Sequence, residues 1–328
     1  MLYLKIKYRF ALLTRSVFFK IGLAKYLLRN RYGERILVFH SLDRLGDTRY
    51  NSRFVAADYF DAFLDYCTSH FNVISLDDFY AKKFKPNMLN IALTFDDGLF
   101  NNYELALPLL KKYNVPATFF ITTIREKYPF IWSDYIDLVS FYTTKKEVIF
   151  EGNLYKKNRK NEFTFNGISL KNRCKSLEFH QIEAIFPLFT AEWQTITNSN
   201  LTEYWKLMNK EQINEISDNS LFSVGSHAVT HANLVEINYA DAKDEIARSK
   251  KRLEEITGKE ITAFAFPFGT YNQHLVDFCE EVGYSKILLL DYNLEKDKIN
   301  EHLKKRFVVN PYISQNQLLY CLLKESYY

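Results

Sequence analysis

Cysteine is scarce and scattered: Cys67, Cys174, Cys279 and Cys321 are the only four, and none stands in a CxxC spacing. That excludes a zinc knuckle or a redox pair and gives no disulfide framework, so buried thiols in a reducing compartment are expected. No apolar run is long enough to span a bilayer, and no small-residue cleavage site follows the first residues. Excess charge is also small. A net charge of +4 over 328 residues is too little for a whole-surface nucleic-acid footprint, and no nucleic-acid partner is expected. Internal repeats and long low-complexity tracts are absent.

Acidic residues are missing altogether from residues 1–32, where Lys and Arg interleave with Leu, Ile, Phe and Tyr. Leu13, Val17, Ile21, Ala24 and Leu28 recur at helical spacing, with Arg15, Lys20, Lys25 and Arg29 between them. Two readings fit. One is a basic amphipathic helix on an anionic membrane surface, which would put the protein at the cytoplasmic face of the inner membrane; the other is a surface helix docked on its own domain.

What the chain has in abundance is aromatic residues, 28 Phe and 23 Tyr, suited to packed α/β layers and to sugar-stacking surfaces. After Gly33 a strand–helix–strand rhythm begins. Arg35 to His40 reads as a buried strand, Tyr59 to His70 as a helix, Asn72 to Leu76 and Asn90 to Phe95 as strands. A helix from Tyr103 to Tyr113 precedes a strand from Ala117 to Thr122. The rhythm breaks over 143–207, read as an inserted cap, and resumes with a helix near Asn209 to Ile216 and a strand at Leu221 to Val224. A helix from Tyr239 to Thr257, another from Asn272 to Val282 and a strand from Lys286 to Leu290 complete the pattern. Residues 33–328 are thus expected to form one parallel α/β domain, and in such folds chemistry gathers at the carboxyl ends of strands.

His40 and the pair Asp96-Asp97 fall at such ends. Adjacent carboxylates repel each other, and a bound cation relieves that cost while allowing one to ligate and the other to act as base. Asp-Asp-Gly alone is often just a turn, and Asp77-Asp78 reads as the cap of a helix beginning near Phe79. His227-Ala-Val-Thr-His231 is sharper, since two imidazoles four residues apart on a helical turn can share one metal ion. With Asp97 they make a two-His, one-carboxylate set with positions left open.

Four stretches in order resemble the polysaccharide deacetylases of the NodB-homology type: Leu93-Thr-Phe-Asp96-Asp97-Gly98, Pro116-Ala-Thr-Phe-Phe-Ile121, Gly225-Ser-His227-Ala-Val-Thr-His231 and Phe264-Ala-Phe-Pro267-Phe268-Gly269. The resemblance runs from about Arg35 to Val282. It implies a distorted (β/α) barrel with fewer than eight strands and removal of N-acetyl groups from amino sugars of a surface or lipid-linked polysaccharide. It further implies Asp96 as base and Asp97, His227 and His231 as ligands of a divalent ion, zinc being the expected one. Pro267 and Phe268 would line the groove, with a backbone N–H near Phe268 facing the oxyanion. Two departures stand out. Where many members carry an Arg that orients the base, this chain has Ala265, so the contact comes from elsewhere or is lost. The late histidine that serves as acid is also missing, and His40 on the first strand resembles its permuted equivalent; a buried structural histidine is the competing reading. Trp132 is read either as a sugar-facing wall or as simply packed. The whole is compatible with two other functions, a non-catalytic carbohydrate-binding or assembly protein and an esterase or amidase acting on a non-sugar acyl group.

Overall fold

The structure, a computed structural model, describes residues 32–47, 49 and 53–327 together with Thr14 and Val17. The basic helix expected within residues 1–32 falls almost wholly outside the described residues. No described helix is long and apolar enough to cross a membrane.

Seven parallel strands close into a ring. They are β1 (Gly33–Phe39), β2 (Leu89–Phe95), β3 (Ala117–Ile121), β4 (Phe222–Ser226), β5 (Ala263–Ala265), β6 (Lys286–Leu289) and β7 (Leu303–Val308). Each pairs with the next in chain order, and β7 returns to β1 through the register Ile36 with Arg306. The fold is therefore a (β/α) barrel one strand short of eight. Its strands are buried on both faces, which explains their near-continuous apolar runs. Leu37, Phe39, Ile91, Leu93, Phe95, Phe119 and Ile121 pack outward in the main core, while Ile36, Ala92, Phe120, Ala265 and Leu288 belong to a smaller cluster. That division follows the two-residue alternation of a strand.

The main helices are α1 (Ala57–His70), α2 (Leu107–Lys112), α3 (Trp132–Tyr142), α4 (Lys210–Asp218), α5 (Tyr239–Thr257), α6 (Gln273–Glu281) and α7 (Gln315–Lys324). The helix expected from Tyr103 opens as a π turn, Asn102–Ala106, before α2 begins. The aspartate pair Asp77-Asp78 lies in the first turn of the helix Leu76–Tyr80, whose cap is Ser75 accepting from the Asp78 N–H. Sequence periodicity did not reveal β7 and α7.

The insertion builds a cap with its own core. Glu147–Phe150, Asn153–Lys157, Phe163–Phe165 and Ile168–Ser169 form a four-stranded antiparallel sheet. Short helices follow, and Phe163, Leu170, Ile185 and Phe189 pack with Phe130, Trp132 and Tyr135 of the α3 region. The end of the insertion is stitched to the loop after β2: Phe100 N–H donates to Lys206 O at 2.7 Å and Met208 N–H to Gly98 O at 3.0 Å.

Candidate metal centre and base

The site lies where β1, β2 and β4 end. Asp96 follows β2 directly, its N–H donating to Phe39 O at 2.9 Å. Asp97 then takes a left-handed backbone, φ 77°, uncommon for a residue with a Cβ. Thr122 Oγ1 holds its carbonyl at 3.0 Å. Gly98 follows, also left-handed at φ 78°, with the Ile121 side chain 3.2 Å from where a Cβ would stand. Ala228, His231 and Phe268 share this conformation at φ 62°, 58° and 60°. Backbone strain of this kind persists only where the surroundings over-determine it.

Asp97, His227 and His231 are brought together. One ligand atom from each lies within 4.8 Å of the others, and all three residues are buried. Asp97 Oδ1 stands 3.2 Å from His231 Nε2 and 3.6 Å from His227 Nε2. The histidine spacing works by a different route from a helical turn. His227 leaves β4, and the next four residues form a bent loop with two left-handed positions. Glu245 of α5 fastens that loop, accepting from the N–H groups of Val229 and Thr230 at 2.8 Å each and from Thr230 Oγ1 at 2.6 Å.

The donor set fits a cation. His227 Nδ1 is 2.7 Å from Ala265 O; a carbonyl only accepts, so Nδ1 carries the proton and a neutral ring presents a bare Nε2. Burial pushes the His227 imidazole down to about 4, against the pull of Asp96, so the ring is neutral near pH 7. Its bare Nε2 faces Asp97 Oδ1 and, at 4.0 Å, Asp96 Oδ2. Neither Asp97 oxygen has a hydrogen-bond donor of good geometry. The bare Nε2 of His227 facing a carboxylate oxygen in a buried space calls for a positive charge between them.

Asp96 has a different partner. Arg306 of β7 grips it with two bonds, Nη1 to Oδ1 at 2.6 Å and Nη2 to Oδ2 at 2.8 Å. The guanidinium is buried, its Cζ 5.6 Å from the centre of the Phe120 ring. Burial alone would raise the Asp96 carboxyl; Arg306, His227 and His40 outweigh it, and the net shift is downward. The orienting arginine that the sequence lacks at Ala265 is thus present on another strand. Of the two alternatives left open by Ala265, a contact from elsewhere is the one found.

His40, half-buried, follows β1. The short parallel pair Ser41–Asp43 with Phe54–Ala56 sets Ser41 opposite Phe54, so His40 and Arg53 precede paired residues. Burial first and Arg53 second push the His40 imidazole down to about 3, with both aspartates pulling the other way. Arg53, absent from the sequence reading, reaches Asp97 Oδ2 at 3.2 Å and Asp134 Oδ1 at 2.8 Å. Burial pushes the Asp134 carboxyl up to about 6 despite Arg53.

Pro267 is buried and Phe268 half-buried. The Phe268 ring centre is 4.7 Å from that of His231, edge to face. Trp132 corrects the sugar-wall expectation. It has no accessible surface; its Nε1 donates to His231 O at 3.2 Å and its ring packs 5.9 Å from Phe268. It braces the histidine loop from behind.

A parallel barrel with an Asp-His-His cluster at the carboxyl ends of its strands defines an α/β-barrel protein with a cluster that could hold a cation. Comparison with known proteins narrows that class. The sequence profile of the polysaccharide deacetylase family matches residues 84–140 and 169–287, more than half the chain, and skips most of the cap sheet. The chain belongs to the polysaccharide deacetylase family. YxkH of Bacillus subtilis (strain 168), to which a polysaccharide deacetylase role is ascribed, is 22% identical over 200 residues, covering 61% of this chain. The match spans 44% of that curated relative's length. The Streptococcus pyogenes deacetylase PplD, in complex with acetate, aligns over 87% of this chain and 96% of its own, with TM-score 0.56 and 17% identity. IcaB from Ammonifex degensii aligns over 89% and 98%, with TM-score 0.55 and 17% identity. These likenesses bear on the fold, which is the deacetylase barrel.

Proposed function

We propose that the chain is a metal-dependent hydrolase that removes N-acetyl groups from the amino sugars of a polysaccharide or lipid-linked saccharide. One observation carries this reading. A carboxylate clamped by a buried arginine, Asp96, stands beside a second carboxylate, Asp97, whose Oδ1 lies 3.6 Å from the bare Nε2 of His227 and 3.2 Å from His231 Nε2. A saccharide-binding role alone would require neither. The non-catalytic alternative drew its support from the absent orienting arginine and the absent late histidine, and Arg306 removes the first of these.

In this scheme Asp97, His227 and His231 would hold the ion, with zinc the best match to two imidazoles and a carboxylate. When bound, such an ion supplies Lewis-acid chemistry. Asp96, kept ionised by Arg306, takes a proton from the attacking water. A backbone N–H near Phe268 faces the developing oxyanion. His40 is neutral at the start, so it protonates the leaving amine only after taking up a proton within the cycle, the one gathered by Asp96. Acetate and the protonated amine are the products, the water's second proton passing from acetic acid to the amine. The membrane-facing role of residues 1–32 rests on their sequence pattern, and removing them should release the protein from a membrane fraction without loss of activity.

Acetate release from a panel of N-acetylated glycans, with and without chelator, tests the activity. Asp97→Ala, His227→Ala and His231→Ala should each lose bound metal and turnover together, whereas Asp96→Asn should keep the metal and lose turnover. Near-normal turnover in Asp96→Asn would overturn the base assignment.

A further inference from the structure

Arg53 has no part in the chemistry above, yet its guanidinium stands against the carboxylate of the cation cluster. Nη1 is 3.2 Å from Asp97 Oδ2, and Nη2 is 2.8 Å from Asp134 Oδ1. The two carboxylate side chains are each 1% exposed, and that of Arg53 is 28% exposed. The other Asp97 oxygen, Oδ1, is the one that faces His231 Nε2 and His227 Nε2. The carboxylate is therefore divided, one oxygen toward the imidazoles and one toward a guanidinium held in place by a second acid. Two separate elements fix the arrangement. Arg53 precedes the strand paired with Ser41–Asp43, and Asp134 lies in the first turn of α3.

We propose that Arg53, braced by Asp134, is a positioning residue that reserves Asp97 Oδ2, so that the ion held by the cluster takes Asp97 through Oδ1 alone. This rests on the metal-dependent reading above. Two physical consequences oppose each other. A carboxylate that binds through one oxygen occupies one coordination position instead of two, leaving more room for water and substrate. It also gives up less charge to the ion, which keeps the ion a stronger Lewis acid. Against that, a guanidinium a few ångströms from a divalent ion weakens binding by direct repulsion. Arg53 thus trades affinity for reactivity, the reverse of what a residue that only stabilises the fold would do.

The sign of that trade is measurable. Metal-free wild type, Arg53→Met and Arg53→Lys are titrated with zinc against a chromophoric chelator at pH 7.5. The cobalt-loaded proteins are compared by visible absorption, which weakens as the coordination number rises. Arg53→Met should bind zinc about tenfold tighter or more, through lost repulsion and a freed oxygen. Its cobalt bands should weaken, and kcat should fall at least about tenfold with KM little changed. Arg53→Lys keeps the charge without spanning both acids and should lie between. If Arg53→Met does not fold by circular dichroism, Arg53→Gln, which keeps a donor for Asp134, carries the same test. Zinc affinity that is unchanged or weaker, with an unchanged cobalt spectrum, would overturn the proposal. A wild-type chain that takes up neither metal would sink the metal-dependent reading itself, and with it this role for Arg53.

Discussion

A buried aspartate that must accept a proton needs a cation beside it to stay ionised, and it needs that cation held still. Arg306 meets both needs through its paired bonds to Asp96. Arg306→Met would leave the carboxylate buried without its main counter-charge, and the Asp96 carboxyl would titrate higher. The acid limb of kcat/KM should move to higher pH while zinc content stays near that of the wild type; an unmoved limb would remove Arg306 from the site's chemistry. Stability should also fall, by about 3 kcal/mol or more, the cost of breaking a buried pair on one side. Asp96, Asp97, His227 and His231 were legible in sequence because each sits in a short motif at a strand end. Arg306 sits in Leu303-Lys-Lys-Arg-Phe-Val308, where neighbouring lysines disguise a buried position as a solvated one. Arg53 belongs to a loop with no periodicity, and no local signal marks it. The demand for a cation near Asp96 was readable; its location depends on which strand closes the ring.

At the scale of elements, the loop from His227 to His231 shows how the expected meeting of the two imidazoles came about through a different local shape. Its i,i+4 spacing matches a helix, yet the segment bends through two left-handed residues and is held by a carboxylate from α5. Sequence periodicity found α5 with its observed bounds, Tyr239–Thr257, but could not show that Glu245 on it reaches back to the loop. Glu245→Ala deletes three bonds and leaves two N–H groups unpaired. It should cost about 2–4 kcal/mol and weaken zinc binding by loosening His231. Glu245→Gln keeps an oxygen for both N–H groups and should stay within about 1 kcal/mol of wild type in urea unfolding. Equal losses for the two variants would mean that charge, not hydrogen bonding, fixes the loop. Most strands and helices were placed within a few residues from their apolar pattern. The elements not called include α3, the three-residue β5 inside the fourth motif and the strands of the cap; β7 and α7 lie beyond the last motif, and β7 mixes lysines with its buried positions.

For the molecule as a whole, the site makes stability depend on acidity in one direction. His227 and His40 are held down to about 4 and about 3, chiefly by burial, whereas in the unfolded chain both titrate near 6.5. Below that pH the unfolded chain takes up protons that the folded one refuses, so stability falls as pH drops from about 6.5 toward 4. For His227 alone the slope is on the order of 1 kcal/mol per pH unit. Asp96 and Asp97, both depressed, add losses in the same direction at still lower pH. Urea midpoints of metal-free protein should decline between pH 7 and 5, and zinc should raise them more at pH 7, where protons compete less for the imidazoles. A flat midpoint over that range would contradict the burial of these rings. The ring closure of β7 onto β1 also carries a consequence in time. Arg306 lies 210 residues beyond Asp96, so at about 5–20 residues per second the ribosome delivers the clamp roughly 10–40 s after the acid. Only over the last 75 residues of that interval, from His231 to Arg306, does the nascent chain hold all three candidate ligand residues while lacking the partner that keeps Asp96 ionised, and the proposed hydrolysis waits on that strand.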